Sequence, residues 1–323
     1  MKAITYHRYG SPDVLEFQEV DEPVVQDDDV LVRVRAASAN PRDWHFMRGV
    51  PYAIRPQFGL RAPKNPLLGS DVAGQVEAVG RNVTRFRPGD EVFTDVVTGG
   101  FAEYTRVSED LVAPKPANLT FEQAAAVPLA ALTALQGLRD HGRIQPGQKV
   151  LILGASGGVG TFAVQIAKWL GADVTGVCST RNVGLVRSLG ADHVIDYTKE
   201  DFVQRGQQYD LILQLAGTRS PSGFRRALTP KGTLLLSSGE ARGRWLGPIT
   251  RIIKAIALSP LVGQRLSPFE AKRSGQDLQV IKELIEAGTV LPVIDRTYSL
   301  SDVPAAIRYL EEGHARGKIV ITV

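Results

Sequence analysis

The 323-residue chain has a single cysteine, Cys178. No intrachain disulfide can form, and a zinc site built from several thiolates is excluded. Such cysteine usage suits a reducing compartment. Also missing is any uncharged apolar run of the roughly 18–20 residues needed to span a bilayer, so no integral membrane segment is expected. The first residues, Met1-Lys2-Ala3-Ile4-Thr5-Tyr6, lack the apolar stretch of a secretory signal and read as a strand. The expected location is therefore cytoplasmic. An excess of one charge is missing too: 38 Lys and Arg against 34 Asp and Glu leave a net charge of +4, with the basic residues scattered. That gives no basic stripe for nucleic acid. Histidine is sparse. His7, His45, His141, His193 and His314 are dispersed, with no H-x-x-x-H pair. A catalytic zinc needs three protein ligands, so no metal is expected.

What is present is a soluble-protein composition, 43% hydrophobic and 22% charged, over a length with room for two domains. Up to about residue 115 the pattern is β. Val30, Val32 and Val34 alternate with Leu31, Arg33 and Arg35, and turn signals recur at 9–12, 87–90 and 98–100. Short strands are expected at 72–80 and 91–93, within a small barrel-like β domain. Residues 48–66, rich in Pro and Gly, read as a long functional loop. Thr120-Phe121-Glu122-Gln123 has the form of a capping box, followed by a helix over 124–139 with a break or kink at Pro128.

From Lys149 the period changes to alternating strands and helices. Strands are expected at 149–154, 173–179, 193–197, 210–215, 232–237 and 262–269, with helices at 158–170, 182–189 and near 222–228. This pattern implies a parallel sheet with right-handed crossovers. Residues 245–262 carry an apolar stripe, Ile249, Ile252, Ile253, Ile256 and Ala257, with Arg251 and Lys254 elsewhere. The stripe reads as a helix packed inside the protein or at a subunit contact, rather than as a membrane-surface helix. Helices at 277–286 and 302–312, the latter capped by Ser301, and a strand at 318–323 close the chain.

The most informative stretch is Val150-Leu151-Ile152-Leu153-Gly154-Ala155-Ser156-Gly157-Gly158-Val159-Gly160, with a helical pattern directly after it. Strand, small-residue turn and helix start form a dinucleotide-binding unit, because the turn admits a pyrophosphate and the helix N-terminus offers N–H groups to it. Ala155 stands where the usual pattern has its first Gly. About twenty residues on, at the end of the second strand, NAD enzymes place an acidic residue for the ribose 2′-hydroxyl. Here the sequence is Val177-Cys178-Ser179-Thr180-Arg181-Asn182, without a carboxylate. Hydroxyls and a guanidinium suit a 2′-phosphate, so NADPH is the expected cofactor. Ser179 capping the next helix and Arg181 being solvated are compatible with that reading.

The chain resembles the medium-chain dehydrogenase/reductase superfamily, in its zinc-independent quinone oxidoreductase branch. The resemblance is carried by Asn40-Pro41-Arg42-Asp43-Trp44 with Arg48-Gly49, Leu68-Gly69-Ser70-Asp71-Val72-Ala73-Gly74, Gly89-Asp90-Glu91-Val92, Gly100-Phe101-Ala102-Glu103-Tyr104, Val127-Pro128-Leu129-Ala130-Ala131-Leu132-Thr133-Ala134, the Gly154–Gly160 turn, Leu189-Gly190-Ala191-Asp192 and Gly317-Lys318-Ile319-Val320. It implies an α/β protein in which a doubly wound Rossmann sheet (residues 124–272) is inserted in a GroES-like β-barrel catalytic domain (1–123 and 273–323). Where zinc alcohol dehydrogenases have Gly-His-Glu, this chain has Gly69-Ser70-Asp71, and the accompanying cysteines are missing. A homodimer through the last Rossmann strand is a further implication of the resemblance.

Without a metal to acidify an alcohol, an electron-poor acceptor is the easier substrate. The expected activity is hydride transfer from NADPH to a quinone or an α,β-unsaturated carbonyl. The alternatives are an NADP-dependent alcohol or aldehyde reductase, and an NADPH-binding sensor or structural protein with little turnover. The resemblance places Asn40 by the nicotinamide and substrate. Asp43 and Arg48 belong to the same motif, as catalytic groups or as an ion pair shaping the substrate loop. Tyr52 is a candidate donor to the acceptor oxygen. Tyr104 reads as structural and His45 as a surface residue. Expected cofactor contacts are Thr133; Ser156, Gly157, Gly158 and Val159 at the pyrophosphate; Ser179 and Arg181 at the 2′-phosphate; Tyr197 at the adenine; Leu215, Ala216 and Gly217; Ser237, Ser238 and Gly239; and Phe269 and Lys318, the last either a contact or merely solvated.

Overall fold

The computed structural model describes residues 1–237, 249–259 and 262–323. In chain order the elements are β1 (Lys2–Thr5), β2 (Glu16–Glu19), β3 (Asp29–Ala39), α1 (Pro41–Arg48), α2 (Arg55–Phe58), β4 (Asp71–Val79), β5 (Glu91–Asp95), β6 (Tyr104–Ser108), β7 (Ala113–Pro114), α3 (Phe121–Ala125) and α4 (Pro128–Gln136). Next come β8 (Lys149–Leu153), α5 (Gly158–Trp169), β9 (Asp173–Cys178), α6 (Val183–Ser188), β10 (His193–Asp196), β11 (Tyr209–Gln214), α7 (Pro221–Arg225), β12 (Leu228–Leu236), α8 (Ile249–Leu258) and β13 (Arg265–Pro268). The chain ends with α9 (Gly275–Glu286), β14 (Ile294–Ser299), α10 (Val303–Glu311) and β15 (Lys318–Thr322). It divides into two compact units, one of Met1–Leu132 with Lys272–Val323, the other Thr133–Ala271.

In the first unit seven strands form one sheet, in the order β14-β15-β3-β4-β5-β7 with β6 paired to β3, while β1 and β2 pair as a separate two-stranded sheet. The long strand β3 alternates as its sequence requires: Val30, Val32 and Val34 are buried, while Arg33 and Arg35 face solvent. Those valines join Ile4, Phe46, Met47, Leu68, Phe101 and Ile319 in one core. The last strand is placed by topology, since β15 lies antiparallel to β3 with Ile319 opposite Ala39, and β4 flanks β3 on its other side with Asp71 opposite Ser38.

The helix expected over 124–139 is broken as Pro128 requires. The capping box forms, with the Gln123 N–H donating to Thr120 Oγ1 at 3.3 Å and the Thr120 N–H to Gln123 Oε1 at 3.0 Å. The helix it opens, α3, ends at Ala125 and packs on β3 and β4, so it belongs with the first unit. Pro128 then starts α4, where its missing N–H costs nothing. A π-helical turn over Gly137–Gly142 follows. Residues 48–66 are not all loop, since Tyr52–Ile54 and α2 are helical turns. The expected Ser301 cap is replaced by a 3-10 turn, Leu300–Asp302, ahead of α10.

In the second unit all six described strands are parallel, in the order β10-β9-β8-β11-β12-β13. This is the doubly wound dinucleotide-binding order, whose crevice opens at the carboxyl ends of the strands beside the reversal at β8. Leu151, Leu153, Val177, Ile212, Phe224 and Leu234 form its core on one side of the sheet. The stripe on α8 is largely unburied within the chain, the exposure expected at a subunit contact rather than of an interior helix. Ala255 is fully buried, whereas Ile253 and Ile256 are exposed. Residues 245–248 and 260–261 of that segment lie outside the described residues.

Candidate functional site

The first unit holds a buried polar cluster at the junction of β3, β4, α1 and β15. Asn40 ends β3 and precedes α1, and its side chain turns inward. Its Nδ2 donates to Asp71 Oδ2 at 2.9 Å and to Ser38 O at 3.3 Å, while its Oδ1 accepts from Lys318 Nζ. Lys318 also donates to Asp71 Oδ2 at 3.1 Å. The pair is sealed, with Lys318 3% and Asp71 0% exposed. Ser38 Oγ adds a bond to Asp71 Oδ2 at 3.0 Å, and Asp71 Oδ1 accepts the Leu129 N–H at 2.9 Å, in the first turn of α4. One carboxylate thus ties three strands and two helices. Lys318 is neither solvated nor in the dinucleotide-binding unit. It lies beside Asn40 because β15 is zipped to β3.

Asp43, on the first turn of α1, is fully buried. Its Oδ2 accepts the Asn40 N–H at 2.7 Å and its Oδ1 accepts Ser70 Oγ at 2.6 Å. Burial pushes this carboxyl up to about 7, against the Ser70 hydroxyl, the Arg42 guanidinium and the Asn40 N–H, which hold it down. Arg42 Nε donates to Ser70 Oγ at 3.2 Å, and its other arm pairs with Asp95. An Asp43–Arg48 ion pair does not form. Arg48 points from the far end of α1 to α10, where Glu311 takes both its Nε and its Nη2. His45 is not a surface residue either. It stacks on Trp44 with ring centroids 3.7 Å apart, its Nδ1 lies 2.8 Å from Val50 O, and burial lowers its pKa.

The segment after α1 is pinned through Arg55. Its guanidinium lies between the Tyr9 ring (4.5 Å) and the Tyr52 ring (4.3 Å), while Nε donates to Gly49 O at 2.9 Å. Tyr52 is therefore held by stacking. Tyr104 begins β6 opposite Arg33, a structural position.

The second unit carries the glycine turn at the carboxyl end of β8. Gly154 has φ +79°, and a Cβ there would meet the Ala216 Cβ at 2.8 Å. At Gly160 a Cβ would lie 2.1 Å from Gly154 O, so only glycine closes the turn against the helix. Gly157 precedes α5, and the first N–H groups of α5, including those of Gly158 and Val159, have no acceptor within the helix. Ser156 is nearly buried in the same turn. Ser179 and Arg181 follow the end of β9, and Ser179 Oγ makes no capping bond to the turn it precedes. Instead it accepts Asn182 Nδ2 at 3.2 Å. Tyr197 is 61% exposed just past β10, its N–H bonded to Cys178 O. Burial pushes the Cys178 thiol up to about 11, so it stays protonated.

Leu215, Ala216 and Gly217 follow β11. There the buried Gln214 amide donates to Ala216 O at 3.2 Å and to Gly217 O at 2.7 Å, shaping the turn. Ser237 follows β12, its N–H bonded to Gln214 O at 3.2 Å. Phe269 is buried against His141, and a Cβ at Gly137 would meet its ring at 2.8 Å, so the ring forms a wall. Thr133 lies on α4, nearly buried. Ser238 and Gly239 lie outside the described residues.

Sequence reading missed the partners. Asp71, Ser70, Arg42 and Asp95 complete the cluster around Asn40 and Asp43. A hint was available in Asp71, a carboxylate at the head of the apolar run Val72-Ala73-Gly74. In the second unit the carboxylate missing after β9 arrives from β10. Asp196 accepts Thr180 Oγ1 at 2.5 Å, Thr198 Oγ1 at 2.7 Å and the Thr198 N–H at 3.0 Å, and these bonds, the Thr180 hydroxyl first, hold it down at about 2.

The second unit passes the test for a dinucleotide. The turn is closed without side chains, the helix N-terminus is open, and Asn182 Oδ1 is buried without a protein partner. Among the described residues no group of three His, Cys, Asp or Glu side chains is arranged to hold a metal.

Family models agree with this architecture. An alcohol dehydrogenase GroES-like domain matches residues 26–117, and a zinc-binding dehydrogenase model matches residues 189–321. The chain is 37% identical over 360 residues to mouse "NAD(P)H oxidoreductase RTN4IP1, mitochondrial", covering 100% of this chain and 89% of that protein. It is 35% identical over 338 residues to the Arabidopsis thaliana "NADPH-dependent alkenal/one oxidoreductase, chloroplastic", covering 99% and 79%. The quinone oxidoreductase from Coxiella burnetii superposes with a TM-score of 0.88 at 29% identity, covering 100% and 99%. By fold, site and relatives, the chain belongs to the medium-chain dehydrogenase/reductase superfamily and is an oxidoreductase of its quinone oxidoreductase-like branch.

Proposed function

We propose that this protein is an NADPH-dependent, zinc-independent reductase of quinones or α,β-unsaturated carbonyls. The observation that carries the reading is the Gly154–Gly160 turn opening on α5 at the carboxyl end of β8. When bound, NADPH supplies a hydride equivalent to an electron-poor carbon of the acceptor. Gly157, Gly158 and Val159 take the pyrophosphate with Ser156. Ser179 and Arg181 meet the 2′-phosphate, and Tyr197 covers the adenine. Gln214 sets the Leu215–Gly217 turn, and Phe269 backs the crevice with Ser237 at its rim. Asp196 stays ionised beside Thr180 and Thr198, and Lys199 Nζ, 3.6 Å from its Oδ2, offsets part of its charge.

Zinc independence is supported by the donor set. Ser70 stands where a ligand would be needed, and its hydroxyl is committed to Asp43. Asn40 and Lys318 act by position, since their polar atoms are consumed by one another and by Asp71. Asp43 and Arg48 hold the two ends of α1. Tyr52 remains the candidate donor to the acceptor oxygen, steadied by Arg55. A homodimer through the outer edge of β13, the last strand of its sheet, and a reducing compartment such as the cytoplasm complete the reading.

The test is NADPH oxidation with a panel of quinones, enones and aldehydes, using protein dialysed against a chelator. Full activity on a quinone or enone is expected. Activity that is lost on chelation and restored by zinc, or turnover confined to aldehydes, would overturn it.

A further inference from the structure

Asn182 closes the single 3-10 turn after β9, its N–H donating to Ser179 O at 2.9 Å. Its side chain is 5% exposed and reaches back to the glycine turn. Nδ2 donates to Ser156 Oγ at 3.0 Å and to Ser179 Oγ at 3.2 Å. One amide group therefore serves two hydroxyls that come from different strand ends, β8 and β9.

A seryl hydroxyl has one proton and two lone pairs. Each serine here uses a lone pair to accept from Asn182 and keeps its proton. Among the described residues neither hydroxyl donates that proton to a protein acceptor. The neighbouring Thr180 differs, because its hydroxyl is given to Asp196 at 2.5 Å. Of the two hydroxyl side chains at the end of β9, Ser179 alone has a proton left for a ligand, and Ser156 has one in the pyrophosphate turn.

We propose that Asn182 is a positioning residue for NADPH: it aims the Ser156 hydroxyl at the pyrophosphate and the Ser179 hydroxyl at the 2′-phosphate. The inference rests on the dinucleotide reading above. Asn182 does not touch a phosphate itself. It acts because its NH2 group can only donate, so both seryl protons turn outward toward anionic oxygens. An aspartate of the same shape would do the reverse, accepting both protons and adding a negative charge.

The test is equilibrium binding of NADPH and NADH to the full-length protein by calorimetry, with no turnover required. Asn182→Asp keeps the side-chain shape and should weaken NADPH by about a hundredfold, through two redirected charge-assisted bonds and a new like charge. NADH should weaken less, because it lacks the 2′-phosphate that Ser179 serves. Asn182→Ala should weaken NADPH by about tenfold, and adding Ser179→Ala to it should cost less than the two single losses multiplied, since the asparagine acts through that serine. The proposal is overturned if Asn182→Asp binds NADPH as tightly as the parent protein, or if it weakens NADPH and NADH equally. A parent protein that binds neither nucleotide would overturn the dinucleotide reading itself, an outcome visible before any variant is made.

Discussion

Lys318 and Asp71 form an ion pair sealed from solvent, Nζ to Oδ2 at 3.1 Å, between the last strand of the chain and the head of β4. A charge left alone in such a place is costly, because water cannot replace the missing partner. Lys318→Met should lower unfolding free energy by about 3–5 kcal/mol, and Asp71→Leu by a comparable amount. Combining the two should cost clearly less than their sum, as expected for groups in direct contact. Urea unfolding of the four proteins in this cycle measures the coupling.

Asp43 makes stability depend on pH in a direction opposite to that of an ordinary paired carboxylate. Its folded pKa is raised to about 7 from the ordinary carboxylate value of 3.8, with burial as the main cause. Between those values the folded state holds a proton that the unfolded state has released. Stability from this group is therefore full below about pH 4 and is lost as pH rises through about 7. The loss is on the order of a few kcal/mol. Asp43→Asn should flatten that part of the profile, read as the difference between parent and variant unfolding curves from pH 4 to 8.

The glycine turn makes a steric prediction. Gly160→Ala would place a Cβ 2.1 Å from Gly154 O, a backbone atom that cannot rotate away. The variant should lose roughly 2 kcal/mol or more of stability, as overpacking against backbone does. It should also lose NADPH binding. Gly184→Ala, a helical position where a Cβ meets nothing within 4 Å, is the control and should keep NADPH binding and lose no stability.

These features differ in how far the sequence could reveal them. The turn at Gly154–Gly160, the Thr120 capping box and the break at Pro128 are local, encoded within a few consecutive residues. That the sheet of the second unit is parallel follows from the alternation of strand and helix patterns, whereas its strand order does not. The polar cluster is different. Lys318 meets Asn40 and Asp71 across 278 and 247 positions, through pairing of β15 with β3 that no local pattern encodes. For that reason the burial of Lys318 against Asp71 is not legible in the sequence. Asp196 was missed at the end of β9 for a like cause, since it lies on the neighbouring strand. Arg48 and Asp43 are five residues apart on one short helix, yet α10 offers Arg48 a closer carboxylate in Glu311. Periodicity likewise identifies the apolar face of α8 without saying what covers it.

The Arg48–Glu311 contact is bidentate and partly exposed, so its contribution is modest. Arg48→Met and Glu311→Gln should each destabilise by about 0.5–1 kcal/mol and be strongly non-additive. If Arg48 serves only to anchor α1 on α10, both variants should change kcat equally and slightly. A large loss confined to Arg48→Met would show a direct role for the guanidinium in the reaction.

The central claim is that hydride passes from NADPH to carbon of a conjugated acceptor. The most direct measurement uses NADPH carrying deuterium at the transferable C4 position, an enone acceptor, and mass spectrometry of the reduced product. One deuterium bound to carbon in the saturated ketone is the expected result. NADPH binding without turnover of any quinone or enone, or a reduced product free of deuterium with either C4-labelled epimer, would contradict the account.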